Sequence, residues 1–211
     1  WKKEVVTFIS QVRVDPNDPK LKNPTKFIGK HYDKEIASKM IEKFNWKMKE
    51  QDKESWRRVV SSPTPQFLFN GNSIKHMMEF GTIVIAAGGG GIPAYIKEDK
   101  GLRLVDGVID KDMTSALLAR IVKSEEFFII TDVAHVCLNY GSDDVKKIHK
   151  SSLQEMKKWL SEGHFQEGTM KPKIEAAIYF LEHHGEKVII TSIDNIKNAI
   201  KGKSGTIIEK V

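Results

Sequence analysis

Residues Ile83–Tyr95 read IVIAAGGGGIPAY, and this stretch sets a hydrophobic strand directly before four consecutive glycines. We predict a buried strand over Thr82–Ala87, because the segment is rich in β-branched residues and holds no breaker. Glycine has no side chain, so its amide can approach an anion closely. The turn is therefore either a flexible connection or an anion-binding loop. Its residues are Gly88, Gly89, Gly90 and Gly91.

Two familiar phosphate-binding motifs do not fit this turn. The dinucleotide-binding motif needs a helix straight after its glycines, whereas Ile92–Tyr95 does not begin one. A Walker loop needs a lysine followed by serine or threonine at a fixed spacing, and no such pair follows. A phosphate bound here would therefore need another geometry.

Strands and helices alternate through the second half of the chain, which predicts an α/β fold with a largely parallel sheet and helices on both faces. The predicted strands after the glycines are Leu102–Ile109, Phe127–Thr131, KVIITSI and GTIIEKV. The predicted helices run from Asp112 through Val122, from Ser152 to Leu160, and from near Pro172 to near His183. In such folds ligands bind beyond the carboxyl ends of the strands.

The first third of the chain has a different character. A strand is predicted over Val5–Ile9, and a loop dense in Pro, Asn and Asp follows it. A helix is predicted over Asp33–Phe44, and NWKMKEQD and WRRVVSSP resemble short strands. We expect residues 16–65 to form an inserted lobe. A second helix is predicted to begin at Ser73 and to end at Gly81.

The segment GVIDKDMTSALLAR joins a predicted strand to a predicted helix. Asp112 is a good N-cap for that helix. Lys111 would then project at the strand end, beside two carboxylates. It is either a surface lysine in a capped turn or a phosphate-binding lysine held in place by an aspartate.

The segment EGTMKPKIEAA places Lys173 in the first turn of a helix. A lysine there opposes the helix dipole, which favours anions at this end. It is either a tolerated surface lysine or the partner of a bound anion. Two lysines and a glycine turn at strand ends would form an electropositive cleft, which is what phosphoryl transfer requires.

Composition narrows the possible partners. The net charge of +6 is spread along 211 residues, as expected of a solvated surface or of a protein with an anionic ligand. No row of aromatic residues for base stacking accompanies the charge, so we predict no nucleic-acid partner. No apolar run is long enough to span a membrane, so we predict no membrane partner. The single cysteine favours a reducing compartment, and we expect a cytoplasmic protein.

Seven segments resemble the carbamate kinases, a branch of the amino acid kinase superfamily, in the same order and with comparable spacing. They are NPTKFIG (Asn23–Gly29), WRRVVSSP (Trp56–Pro63), AAGGGGIP (Ala86–Pro93), GVIDKD (Gly107–Asp112), TDV (Thr131–Val133), EGHFQEGTMKPKIEAAI (Glu162–Ile178) and GKSGTII (Gly202–Ile208). The resemblance implies a three-layer α/β/α sandwich with a mainly parallel sheet and a small inserted lobe. Residues 1–15 would join the core sheet, residues 16–65 would form the lid-like lobe, and residues 66–211 would hold the nucleotide.

The resemblance also implies a phosphotransferase with a carboxyl-type acceptor. The reaction would be the reversible transfer between carbamoyl phosphate and ADP, giving ATP and carbamate, with Mg²⁺ on the nucleotide and a homodimer as the complete protein. The implied catalytic residues are Lys26, Lys111, Asp112 and Lys173. The implied nucleotide-binding residues are Thr131, Asp132, Tyr140, Gly168 and Met170. The implied substrate-binding residues are the four glycines and Arg57, although WRRVV is equally typical of a strand with alternating exposed arginines.

Several features depart from the family pattern. The family's opening glycine loop and its later HGNGPQVG-like loop do not occur, so that roughly a third of a typical member is missing. An alternative function is therefore a catalytically incomplete remnant that binds nucleotide or a protein partner. Without central strands, we also expect unpaired strand edges and exposed apolar faces.

Overall fold

The structure is a computed structural model, and it describes residues 3–52, 54–99 and 101–210. The strands are β1 (Val5–Thr7), β2 (Gln11–Arg13), β3 (Lys26–Tyr32), β4 (Met48–Asp52), β5 (Ser55–Val60), β6 (Phe67–Leu68), β7 (Ile83–Ile85), β8 (Ile92–Ile96), β9 (Leu102–Leu104), β10 (Glu126–Thr131), β11 (Val136–Leu138), β12 (Lys146–Ile148), β13 (Lys150–Ser152), β14 (Lys187–Ser192) and β15 (Thr206–Glu209). The helices are α1 (Lys34–Phe44), α2 (Gly71–Glu79), α3 (Lys111–Val122), α4 (Leu153–Ser161), α5 (Met170–Glu182) and α6 (Ile196–Ile200). Residues 1 and 2 of the predicted core segment and Val211 of the predicted last strand lie outside the described residues.

The C-terminal half forms a mixed four-stranded sheet in the order β10-β14-β15-β13. Two of its strand pairs, β10–β14 and β13–β15, are parallel, whereas β14 and β15 run antiparallel. The α/β class is therefore confirmed. The sheet is mixed rather than purely parallel, because β15 runs antiparallel to β14. Helices α3, α4, α5 and α6 pack against these strands. The core between them includes the fully buried Phe180, Leu181, Ile174 and Ile190.

A second sheet has the order β6-β2-β8-β9, and the glycine turn leads into its interior strand β8. Strands β2 and β8 are parallel, while β6 and β9 pair antiparallel to them. Its core contains Val12, Leu68, Ile74 and Ile109, which are at most 1% exposed. Helices α2 and α3 close this core, so the two sheets share helix α3 as a common wall.

The strand before the glycines differs from the prediction. Strand β7 covers only Ile83–Ile85, and Ile83 and Ile85 are 50% and 53% exposed. Its one neighbour among the described residues is β1, which pairs with it in parallel. A two-stranded ribbon leaves one edge and one face without cover. The strand is therefore half-exposed rather than buried, as expected if central strands are missing.

The predicted strand Leu102–Ile109 is also shorter. Only Leu102–Leu104 pairs as β9, and the chain then leaves the sheet. Val108 N donates to Ser61 O at 2.9 Å, which ties this stretch to the end of the lobe instead of to a sheet strand. Ile109 is 1% exposed, whereas Leu102 and Leu104 are 44% and 68% exposed, so only the end of the predicted strand is buried.

Strands β3, β5 and β4 form a separate three-stranded antiparallel sheet covered by helix α1, and we call this sheet with its helix the lobe. The two predicted strands are confirmed as β4 and β5, and β3 is a third that the loop-like composition concealed. Asp33 caps α1, because its carboxylate accepts a hydrogen bond from Ile36 N at 2.7 Å. In the register of the sheet, Phe27 of β3 lies opposite Val59 of β5.

Two further helix starts were predicted from the sequence. Helix α4 begins directly after Ser152, close to its predicted start, and Ser152 and Glu155 form a capping box with both reciprocal hydrogen bonds. Helix α2 begins at Gly71 rather than at Ser73, and its N-cap Asn70 makes no side-chain cap bond. No helix in the described part of the chain has the length and apolar content to span a membrane.

We expect the isolated chain to self-associate through the ribbon of β1 and β7. Val5, Ile83 and Ile85 are each at least 50% exposed on strands with unpaired edges. Sedimentation velocity should show an average mass that rises with protein concentration. The double substitution Ile83→Thr/Ile85→Thr keeps β-branched residues and should reduce the association. A sharp thermal transition of a monomer that does not depend on concentration would contradict this expectation.

Candidate active site

The start of helix α3 is the first element of the site. Its N-cap is Asp110 and not Asp112, because Asp110 Oδ1 accepts hydrogen bonds from the amides of Asp112 and Met113 at 3.0 and 3.1 Å. The helix begins one residue earlier than predicted, at Lys111. Asp112 is thereby released from capping and lies in the first turn, where its carboxylate faces another element.

Two ion pairs join three separate elements at this point. Lys26 Nζ of the lobe lies 2.5 Å from Asp110 Oδ2, and Lys173 Nζ of α5 lies 2.8 Å from Asp112 Oδ2. All four side chains are largely shielded, with 14–26% of each exposed. Each aspartate therefore fixes one lysine.

The environment of Asp110 keeps it ionised. Burial by itself would raise the pKa of Asp110, but the hydrogen bond and charge of Lys26 and the amides of Met113 and Asp112 outweigh burial. The pKa of Asp110 is therefore below its ordinary value of 3.8. The carboxylate is charged at neutral pH and holds both the lysine and the helix start.

We expect Asp110→Asn to flatten the acid dependence of stability. A lowered pKa in the folded state means that the stabilisation is complete above pH ~4 and is lost as pH falls below that value. Asparagine remains a good N-cap, so the substitution removes the charge and retains the cap. The free energy of unfolding should be measured with urea between pH ~6 and ~3, a range that includes the reference aspartate pKa of about 3.9. It should fall less with decreasing pH in the variant than in the wild type. Equal declines in both proteins would contradict the assignment.

A small cavity lies among these residues, and we call it the lysine cavity. It has a volume of about 200 Å³, and its wall includes Lys26, Gly89, Asp110, Lys111, Asp112, Gly168, Thr169 and Lys173. The four residues predicted to be catalytic thus meet around one space. Three lysines against two aspartates leave an excess of positive charge, and the backbone at the start of α5 adds to it. The cavity is suited to a small anion.

The glycine turn forms one side of the lysine cavity through Gly89. Among the described residues, the amides of Gly88 and Gly89 donate no hydrogen bond, so they are available to a ligand. Gly90 has a different role, because its carbonyl accepts from Thr114 Oγ1 at 2.8 Å and its φ is +109°. Gly91 lines a neighbouring open cavity of about 530 Å³ together with Gly88 and Gly89.

A larger cavity adjoins the lysine cavity, and we call it the large cavity. Its volume is about 580 Å³, and all five residues predicted to bind nucleotide line it: Thr131, Asp132, Tyr140, Gly168 and Met170. The two cavities share Gly168, Thr169 and Lys173 in their walls. A ligand in the large cavity can therefore extend a charged end toward the lysines.

Sequence reasoning missed part of the wall of the large cavity. His135, Cys137 and Lys147 line it from the hairpin of β11 and β12, and Phe165 lines it from the loop before α5. Burial and then the charges of His149 and Lys147 lower the pKa of His135, so that its ring is neutral at pH 7. No sequence signal marked the segments VCL and KKI as part of a ligand cavity.

Comparison with known proteins identifies the family. The sequence profile described as "Amino acid kinase family" matches residues 32–192. The chain belongs to the amino acid kinase family. A carbamate kinase of Thermoplasma acidophilum is 43% identical over 208 residues, which are 98% of this chain and 67% of that protein. Carbamate kinase 2 of Staphylococcus epidermidis is 46% identical over 98% of this chain and 67% of its own length.

Solved structures support the same relationship. The carbamate kinase from Giardia lamblia bound to AMP-PNP superimposes with a TM-score of 0.82 at 37% identity, over 99% of this chain and 66% of that chain. The amino acid kinase fold is therefore established for this chain. The chain spans about two thirds of the length of the relatives it matches, and this share agrees with the expected absence of about a third of a typical member.

Within this amino acid kinase, Arg57 lies apart from both cavities. Its guanidinium donates from Nη1 to Gln51 Oε1 at 3.0 Å and lies 6.0 Å from the ring centroid of Phe27. It is absent from the described walls of the lysine cavity and of the large cavity. The predicted site residues therefore all line the lysine cavity or the large cavity, except Arg57, Gly88, Gly90 and Gly91. The structure adds Asp110, which was not predicted, to the wall of the lysine cavity.

The side chains of this amino acid kinase that could bind Mg²⁺ are few near the lysine cavity. Across residues 3–52, 54–99 and 101–210, no three His, Cys, Asp or Glu side chains gather closely enough to hold a metal ion. The two aspartates of the lysine cavity are each engaged by a lysine. Mg²⁺ commonly binds through one or two carboxylates and the phosphates of a substrate. These residues fit an ion that arrives with a nucleotide, and they do not form a cage for a resident ion.

Proposed function

We propose that this chain transfers a phosphoryl group reversibly between carbamoyl phosphate and ADP, giving ATP and carbamate. One observation carries the proposal: Lys26, Lys111 and Lys173 surround a small cavity that shares part of its wall with a cavity large enough for a nucleotide. The phosphate end of the nucleotide would lie at the shared residues. The group in transfer would then lie among the lysines.

The lysines would supply the electrostatic part of catalysis. In phosphoryl transfer the protein contributes mainly positioning and stabilisation of charge on the transferred oxygens. Lys173 and Lys26 are held by Asp112 and Asp110, which fixes their ammonium groups before substrate arrives. Lys111 lies between the two pairs in sequence and completes the cationic wall. Mg²⁺, entering with the nucleotide, would neutralise further phosphate charge.

The amides of the glycine turn would hold the other substrate. Gly88 and Gly89 are exposed, and their N–H groups are not used by described residues. Gly89 contributes to the lysine cavity and to the open cavity beside it. Carbamoyl phosphate bound at Gly88 and Gly89 would thus lie across the lysines from the nucleotide. This arrangement favours transfer over simple binding.

The choice of carbamate as acceptor rests on the relatives. Proteins named carbamate kinase are 43–46% identical to this chain over nearly all of its residues. Because the chain spans only about two thirds of their length, the activity, the homodimer and the cytoplasmic location remain part of the proposal.

A second candidate is a nucleotide-binding module without turnover. The observation that favours it is the exposed ribbon of β1 and β7 beside the glycine turn, since an acceptor site next to an uncovered sheet is open to water. Such a protein would bind Mg-ADP in the large cavity and would not position the phosphoryl donor.

A panel of phosphoryl donors separates the two candidates. ATP formation from Mg-ADP should be measured with carbamoyl phosphate and with acetyl phosphate, and Mg-ADP binding should be followed by calorimetry. Turnover with carbamoyl phosphate and little with acetyl phosphate is the expected result. Binding of Mg-ADP with no ATP from any donor would overturn the kinase proposal in favour of the binding module.

A further inference from the structure

We propose that Phe27 is a positioning residue for Lys26, and that Arg57 supports the Phe27 ring instead of binding substrate. Phe27 would act by pressing strand β3 of the lobe onto the loop that precedes α5. This inference rests on the proposed function, because Lys26 is taken to act on the phosphoryl group. It assigns roles to two residues of the lobe that do not line the lysine cavity as the structure describes it.

The contact between Phe27 and Gly168 is close. A Cβ placed on Gly168 would lie 3.0 Å from Cδ2 and 3.4 Å from Cε2 of the Phe27 ring. The ring therefore lies against Gly168, where an added Cβ would push the ring aside by a few tenths of an ångström and where the φ of +72° also disfavours a side chain. Gly168 belongs to the walls of the lysine cavity and of the large cavity. A lobe side chain thus touches the segment that the two cavities share.

Arg57 holds the ring from within the lobe. Its guanidinium carbon lies 6.0 Å from the centroid of the Phe27 ring, which is within range of a cation–π contact. Nη1 is anchored on Gln51, and Nε is buried without a hydrogen-bond partner in the part of the chain that the structure describes. A guanidinium directed at a substrate anion would not be enclosed in this way. The geometry assigns it to the ring.

The position of Lys26 follows from these contacts. Lys26 is the first residue of β3 and reaches Asp110 at 2.5 Å, while the next residue, Phe27, reaches Gly168. The strand is therefore attached at two adjacent residues to the starts of two different helices, α3 and α5. Loss of the ring contact would remove one of these two attachments and leave the Lys26 ion pair and the pairing of β3 with β5. The ammonium group would then be held less firmly over the lysine cavity.

A double-mutant cycle tests this role. Phe27→Ala and Lys26→Ala should each lower kcat for ATP formation by about 10- to 100-fold, because misplacement by ~1 Å has effects of this size. The double variant should be no more than about twofold slower than Lys26→Ala, since the two changes remove one function. Phe27→Leu, which retains an apolar side chain on Gly168, should recover most of the rate.

Phe44→Ala is the matched control. Phe44 belongs to the same lobe, is 49% exposed and stacks on Trp46, away from both cavities. Its kcat should stay within about twofold of the wild-type value, as for most surface substitutions. Far-UV circular dichroism and urea unfolding of each variant confirm that a loss of rate does not reflect loss of the fold.

The outcomes distinguish this inference from the proposed function. If the wild-type chain forms ATP and the effects of Phe27→Ala and Lys26→Ala multiply, the positioning role is wrong and the kinase proposal stands. If the wild-type chain forms no ATP, the kinase proposal is wrong, and the same cycle is judged on the Kd of Mg-ATP. Non-additive effects on that Kd would support Phe27, and additive effects would overturn its role. A chain that neither forms ATP nor binds Mg-ATP overturns both.

Discussion

Replacing Lys173 with alanine is expected to lower kcat for ATP formation by about a thousandfold, with a much smaller change in the KM for Mg-ADP. A single preorganised donor in a shielded site contributes about 10²–10³ to kcat, and Lys173 carries a full charge. Its side chain is 16% exposed and is held by Asp112 at 2.8 Å in the wall common to both cavities. The loss should therefore fall on the chemical step.

Lys171→Ala provides the matched control for this result. Lys171 lies two residues earlier in α5, and its ammonium group pairs with Glu167 at the surface of the helix. Exposed ion pairs of this spacing contribute little, so kcat and stability should be nearly unchanged. Steady-state kinetics of the two variants at saturating carbamoyl phosphate provide the comparison. Equal losses in both would mean that Lys173 acts through the general charge of the helix start.

Gly90→Ala is expected to destabilise the fold by about 3 kcal/mol or more. A Cβ at this position would lie 2.4 Å from the carbonyl oxygen of Ile109, which is backbone and cannot rotate away. The φ of +109° adds strain of ~1–2 kcal/mol for any residue with a side chain, and overpacking adds about 1–3 kcal/mol. The midpoint of urea unfolding should fall markedly, and the variant is expected to express poorly.

Gly88→Ala separates this packing effect from any role in binding. A Cβ on Gly88 would meet nothing within 4 Å, so stability should change by less than about 1 kcal/mol. The amide of residue 88 would remain in place, and only a methyl group would be added where we propose that carbamoyl phosphate binds. A Gly90→Ala variant as stable as Gly88→Ala would show that the turn is not packed against Ile109 as described.

The elements that could be predicted from the sequence are those that local chemistry determines. Helix α4 has its capping box, and α1 has its Asp33 cap, because a cap is formed by residues adjacent to the helix. Lys111 and Asp112 lie at the start of α3, and Lys173 lies in the first turn of α5. These three predicted catalytic residues meet at one cavity because the fold brings the two helix starts together. The lobe strand β3 was missed because its register depends on pairing with β5 and not on its own composition.

Other features depend on tertiary contacts that a single sequence does not display. GVIDKD offers two aspartates as caps, and only the partner lysines decide that Asp110 caps while Asp112 faces Lys173. The strand before the glycines reads as buried, yet burial requires neighbouring strands, and β7 has only β1 beside it among the described residues. The sequence of β5 is compatible with Arg57 either as a substrate ligand or as an exposed surface residue. Its contact with Phe27 is visible only in the folded lobe.

The most direct test of the central claim follows both substrates and products in one sample. ³¹P NMR of the 211-residue chain with carbamoyl phosphate and Mg-ADP should show the carbamoyl phosphate signal fall as the γ-phosphate of ATP appears, and with Lys173→Ala the γ-phosphate should appear about a thousandfold more slowly. Growth of inorganic phosphate alone, or γ-phosphate formation at the wild-type rate in Lys173→Ala, would contradict phosphoryl transfer at the lysine cavity.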